Sequence, residues 1–131
     1  MKKLLNTSIV IAGLVFASAA QAEDIIGKWY DALKTSDRAA FAMILSDNAE
    51  VEIKSLGIVQ TKPEFIEALD NWEDAAADLE LDILDKSKNS DGESVVVCYR
   101  FPSNSFTNRE SFKISGGQVS YQLQEKLKDG C

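Results

Sequence analysis

Apolar residues first repeat with a helical period. Ile25, Ile26, Trp29, Tyr30 and Leu33 fall on one face of a helix, which predicts an amphipathic helix over residues 24–35. Ser36 or Asp37 can cap a second helix, with Phe41, Ile44 and Leu45 on one face and Asp47-Asn48 as its end. The period then shortens to two. Glu50-Val51-Glu52-Ile53-Lys54 alternates charged and apolar positions, the pattern of a half-buried strand. Leu56-Gly57-Ile58-Val59 supplies a turn and a short return strand. Thr61-Lys62-Pro63-Glu64 is a capping box, with Thr61 as the cap and Glu64 reaching back to it. Pro63 stands in the first turn, where its missing N–H costs nothing. Phe65, Ile66, Leu69 and Trp72 line one face of this third helix.

After Ala75-Ala76-Ala77, alternation returns in Asp78-Leu79-Glu80-Leu81-Asp82-Ile83. Asn89-Ser90-Asp91-Gly92 is a turn. On the next strand Val95, Val97, Tyr99 and Phe101 face one way, and Val96, Cys98 and Arg100 the other. Pro102 to Ser105 turns the chain into a strand over residues 106–114. Gly116-Gly117 is a tight turn, and Val119, Tyr121 and Leu123 are expected to face inward on the last strand. The expected fold class is therefore α+β. Three helices from the N-terminal side cover the concave face of a strongly curved antiparallel sheet.

The residues before these elements have a different character. Lys2 and Lys3 precede the mostly apolar run Leu4 to Phe16, and Ala20-Gln21-Ala22 follows. This is the pattern of a bacterial Sec-type signal peptide over residues 1–22, cleaved after Ala22. The run is too short to span a bilayer comfortably. No Cys stands at the cleavage point and no Arg pair precedes the run, which argues against a lipoprotein and a twin-arginine signal. Residues 23–131 are then one domain, periplasmic or secreted.

Charge and composition narrow the chemistry. The 131 residues carry 14 basic and 21 acidic side chains and no His. Without Lys2 and Lys3 the balance is 12 against 21, a formal −9. An acidic chain without a basic stripe disfavours nucleic acid and, after signal cleavage, an anionic membrane surface. The lack of His removes Ser-His and Cys-His pairs and His-ligated metals, so neither metal nor cofactor is expected. Cys98 and Cys131 remain, and in an oxidising compartment a lone pair favours a disulfide over a metal site or a catalytic thiol.

Specific residues carry a resemblance. Trp29-Tyr30-Asp31-Ala32-Leu33 with Ser36-Asp37-Arg38, Leu45-Ser46-Asp47-Asn48-Ala49-Glu50-Val51, and Gln60-Thr61-Lys62-Pro63-Glu64-Phe65-Ile66 resemble the nuclear transport factor 2-like superfamily, especially its SnoaL-like branch. The Gly common at the cap of the third helix in that family is Thr61 here. The resemblance implies a cone of curved sheet closed by helices, the cystatin-like arrangement, with an apolar pocket at its mouth. Some members are isomerases, cyclases, dehydratases or epoxide hydrolases, and many have no known activity. In the family's strand order, the last strand lies two positions from the one holding Cys98. A tail ending at Cys131 can then cross the outer face of the sheet and bond to Cys98.

Residue by residue, the family's catalytic patterns do not transfer. The carboxylate base of ketosteroid-isomerase-like members falls at about Ile53, and Glu52 should point outward. Dehydratase-like members need a His. Limonene-epoxide-hydrolase-like members need an Arg two residues before an Asp, and Arg100 is followed by Phe101 and Pro102. One acid candidate survives. On residues 106–114, Asn108, Glu110, Phe112 and Ile114 share a face, so Glu110 lies inside the cone as an acid or base, or at its wet rim. Trp29, Phe41, Trp72, Tyr99, Asn108, Glu110, Phe112 and Tyr121 are the candidate pocket residues, the alternative for the aromatics being plain core. The expected function is binding of a small apolar or amphipathic molecule without catalysis. The alternatives are a lyase or isomerase using Glu110, and a structural or interaction protein with a filled cone. Charges on the outer sheet face, with Glu80 or Asp82 near Arg100, favour a monomer or weak homodimer.

Overall fold

A computed structural model describes residues 25–131. The expected signal peptide and its cleavage point lie outside the described residues. The chain begins with α1 (Ile25–Thr35) and α2 (Arg38–Ile44), then β1 (Leu45–Ile53). A 3-10 turn (Lys54–Leu56) leads to β2 (Ile58–Thr61) and α3 (Lys62–Ala75). Four strands follow: β3 (Glu80–Lys88), β4 (Gly92–Arg100), β5 (Ser105–Ser115) and β6 (Gln118–Asp129).

Local chemistry sets these boundaries. Asp37 caps α2, its side chain accepting from the Ala40 amide at 3.0 Å. The second helix stops at Ile44, three residues before the expected Asp47-Asn48, because Leu45 is already extended and opens β1. The capping box on α3 forms in both directions between Thr61 and Glu64. Gly57 takes φ 64° where the 3-10 turn reverses the chain, a conformation that suits glycine.

The six strands form one curved, unclosed sheet in the order β2-β1-β6-β5-β4-β3. It is mixed rather than wholly antiparallel, because β1 runs parallel to β6 while every other pair is antiparallel. Trp29, Tyr30 and Leu33 of α1, Phe41 and Ile44 of α2, and Phe65 and Leu69 of α3 are buried with the strand residues of the core. Cys98 and Cys131 are joined across the other face of the sheet, with Cα atoms 5.7 Å apart.

Candidate functional site

Strand alternation builds the site. Across the β4–β5 ladder Val95 pairs with Glu110, Val97 with Asn108 and Tyr99 with Phe106. Across β5–β6, Glu110 pairs with Gln124 and Phe112 with Gln122. This puts one carboxylate and two glutamines on the face that the helices cover. Glu110 is wholly buried, at 0% exposure. Its Oε1 accepts from the Tyr30 hydroxyl at 2.5 Å and from Gln122 Nε2 at 3.2 Å. Its Oε2 accepts from the Tyr99 hydroxyl at 2.7 Å and from Asn108 Nδ2 at 3.0 Å. Each oxygen thus holds two neutral donors, which meets the demand of a buried carboxylate without a cation.

Burial pushes the Glu110 pKa above the ordinary carboxylate value, and its four hydrogen bonds pull it down without cancelling the rise. The Tyr30 and Tyr99 hydroxyls are raised as well, first by burial and then by the negative charge of Glu110. Both phenols therefore stay protonated and keep donating.

A cavity of about 370 Å³ lies between the helices and the sheet. Leu33, Phe65, Ala68, Leu69, Asn71, Trp72 and Ala75 line it from the helical side. Ile53, Gln60, Tyr99, Phe106, Asn108 and Gln124 line it from the sheet. Glu110 is not on this wall. Its partners Tyr99 and Asn108 are, and Gln124 reaches Glu110 through Gln122, to whose Oε1 it donates at 3.0 Å. The Trp72 indole donates to the Leu33 carbonyl at 2.7 Å. Ile53 lies on the wall, while Glu52 accepts from the Tyr121 hydroxyl at 2.6 Å on the outer face.

The candidate residues thus divide. Trp72, Tyr99 and Asn108 line the cavity, and Glu110 lies behind two of them. Trp29, Phe41 and Phe112 are instead packed core. The Trp29 ring centroid lies 5.0 Å from that of Phe41 and 5.3 Å from that of Phe112, where the first two helices press on the sheet. Tyr121 does not face inward. The β5–β6 register breaks between Lys113–Tyr121 and Ile114–Val119, so Ser120 is an extra residue. That bulge keeps Val119 inward, then turns Tyr121 and Leu123 outward and Gln122 and Gln124 inward. Lys113 stacks over the outward Tyr121 ring.

Three participants escape the sequence pattern: Tyr30, Gln122 and Gln124. Tyr30 carried a signal, since a Tyr on the apolar face of a helix needs a partner for its hydroxyl. The glutamines carried none, because alternation counted from Val119 puts them outside. Among the described residues no group of three or more His, Cys, Asp or Glu is placed to hold a metal ion.

Comparisons with known proteins bear on the fold. No family model matches the chain, and no curated protein matches it closely. Solved structures do. A candidate ketosteroid isomerase from Kribbella flavida superimposes with a TM-score of 0.71 at 14% identity, over 83% of this chain and 79% of that one. IdmH, a candidate polyketide cyclase from Streptomyces antibioticus, gives 0.69 at 12% identity, over 81% and 91% of the two chains. The chain has the nuclear transport factor 2-like fold. A candidate polyketide cyclase from Sinorhizobium meliloti shares that fold with a TM-score of 0.65 and 24% identity, over 78% of this chain and 94% of its own. In all three the likeness is one of architecture, the curved sheet with helices across its concave face.

Proposed function

We propose that this is an exported SnoaL-like domain that holds one small apolar or amphipathic molecule in its cone without chemical change. The cavity carries the reading. Its wall is mostly aliphatic and aromatic, with a few polar groups placed among them, as in small-molecule sites generally. A cone filled by its own side chains would leave no such space, so the structural alternative has less support. The Lys2-Lys3 leader pattern and the Cys98–Cys131 bond both favour an oxidising compartment.

Hydrogen bonding argues for binding over turnover. An isomerase that makes an enolate needs donors aimed at the developing oxyanion. Here the Tyr30 and Tyr99 hydroxyls are committed to Glu110. A general base needs a free lone pair within reach of the substrate, and Glu110 has four donors and no place on the cavity wall. One observation favours the lyase or isomerase alternative: Tyr99 both lines the cavity and bonds Glu110, so a proton could pass through its hydroxyl.

Native mass spectrometry of protein recovered from the exported fraction tests the proposal. A non-covalent adduct, released unchanged on denaturation, is the expected result. An unliganded protein that takes up no hydrophobic probe would overturn it. Conversion of a bound molecule that stops in Glu110→Gln would favour the enzyme instead.

A further inference from the structure

Amide side chains reach the cavity from four elements. Gln60 stands on β2, Asn71 on α3, Asn108 on β5 and Gln124 on β6. The Gln60 and Asn71 amides have no hydrogen-bond partner among the described residues, so each offers the cavity both NH2 and C=O. Asn108 Nδ2 donates to Glu110 and Gln124 Nε2 donates to Gln122 Oε1, which leaves Asn108 Oδ1 and Gln124 Oε1 as acceptors. The Tyr99 hydroxyl proton and the Trp72 indole N–H are taken by Glu110 and by the Leu33 carbonyl. Among the described residues no Lys, Arg, Asp or Glu lines the wall. Glu110 lies behind Asn108 and Tyr99 with two donors on each oxygen, so it gives a ligand cation no contact.

We infer that the cavity selects a neutral molecule whose polar group both donates and accepts hydrogen bonds, a carboxamide, lactam or alcohol, over a carboxylate or ammonium of the same shape. This rests on the ligand-binding reading above and narrows its ligand class. A neutral group that leaves water here exchanges its hydrogen bonds for those of the wall amides. An ion meets dipoles only, and dipoles set in an apolar wall do not repay its lost hydration. Glu110 shows that cost within the same fold. Four neutral donors bond it, and burial still holds its pKa above the ordinary carboxylate value. A ring face such as that of Trp72 attracts an ammonium, but by less than the lost hydration costs. An ion can keep its water by turning its head out of the mouth, and it then forgoes the bonds to Asn108 and Gln124.

Four probes on one rigid apolar cage test this on the disulfide-bonded exported protein, by titration calorimetry at neutral pH: adamantanecarboxamide, adamantanemethanol, adamantanecarboxylate and adamantanemethylammonium. The two neutral probes are expected to bind about tenfold or more tightly than the two ions. Asn71→Lys sets a cation on the wall from an exposed position of α3, where a Lys suits the helix. In that variant the gap between carboxamide and carboxylate should narrow and the gap to the ammonium widen. Either ion binding the unchanged protein as tightly as the carboxamide would overturn the inference and leave the ligand-binding reading intact. So would an Asn71→Lys protein that binds the carboxamide with both gaps unaltered. Binding of none of the four to the unchanged protein would overturn both.

Discussion

Glu110 is a buried acid held by neutral donors alone, and its stability effect follows from that. Burial raises its folded pKa above the ordinary value of 4.5. A raised acid contributes most below its unfolded pKa, and the contribution is lost as pH rises through the folded value. Glu110→Gln removes that titration. The stability advantage of the wild type over Glu110→Gln is therefore expected to be greatest below about pH 4.5 and to shrink as pH rises. Urea melts of both proteins across acid to neutral pH read the difference directly. A constant difference would mean that Glu110 does not titrate between these states. At this scale much was legible. Alternation on residues 106–114 put Asn108 and Glu110 on one inward face, and Tyr99 followed from its own strand. That Glu110 is saturated could not be read, because only Asn108 is its neighbour on the strand, while Tyr30, Tyr99 and Gln122 come from a helix and two other strands.

Elements carried a clearer signal than their register. The capping box at Thr61 and the helical period of Trp29, Tyr30 and Leu33 rest on neighbours in sequence, and local patterns record neighbours. Pairing β1 parallel to β6 joins residues about seventy apart, such as Val51 and Gln122, and no local pattern records it. The Ser120 bulge is silent in the same way, since one extra residue reverses every later position while leaving composition unchanged. Gly92 shows both kinds of information. It reads as a turn glycine, and its amide does bond Asn89 Oδ1 at 2.9 Å. It also pairs with Lys113 at the start of β4, where an added Cβ would come 1.8 Å from the Phe112 carbonyl oxygen. The obstacle is backbone and cannot swing aside. Gly92→Ala should therefore part β4 from β5 at that end and cost about 2 kcal/mol or more, measured by thermal or urea unfolding. A neutral substitution would show that the strands can separate there freely.

Across the whole molecule the two sheet faces do different work. The inner face holds the cavity and the Glu110 network. The outer face is ionic, with Arg100 paired to Asp82 and Lys54 to Glu125 at 3.2 Å. β6 runs to Asp129, and the chain then crosses β5. The Gly130 amide donates to the Ser105 carbonyl at 2.8 Å, and the Thr107 hydroxyl donates to the Gly130 carbonyl at 2.7 Å. Cys131 is thus carried over Thr107 to Cys98 on β4, which is why Cys98 is wholly buried on an outward position. The bond closes a loop with a sequence separation of 33, so its loss should cost roughly 2–4 kcal/mol. Cys131→Ser is the informative change, because it cuts the staple on the side away from the cavity. Its melting temperature should fall while its affinity for any cavity ligand stays the same. We expect the intact protein to sediment as a single chain or a weak dimer, because the tail and the ion pairs occupy the face on which a partner would have to desolvate charges. Non-reduced intact mass two hydrogens below the reduced mass is the matching chemical result. A disulfide-linked dimer, or two free thiols in exported protein, would show that the tail does not close on its own chain.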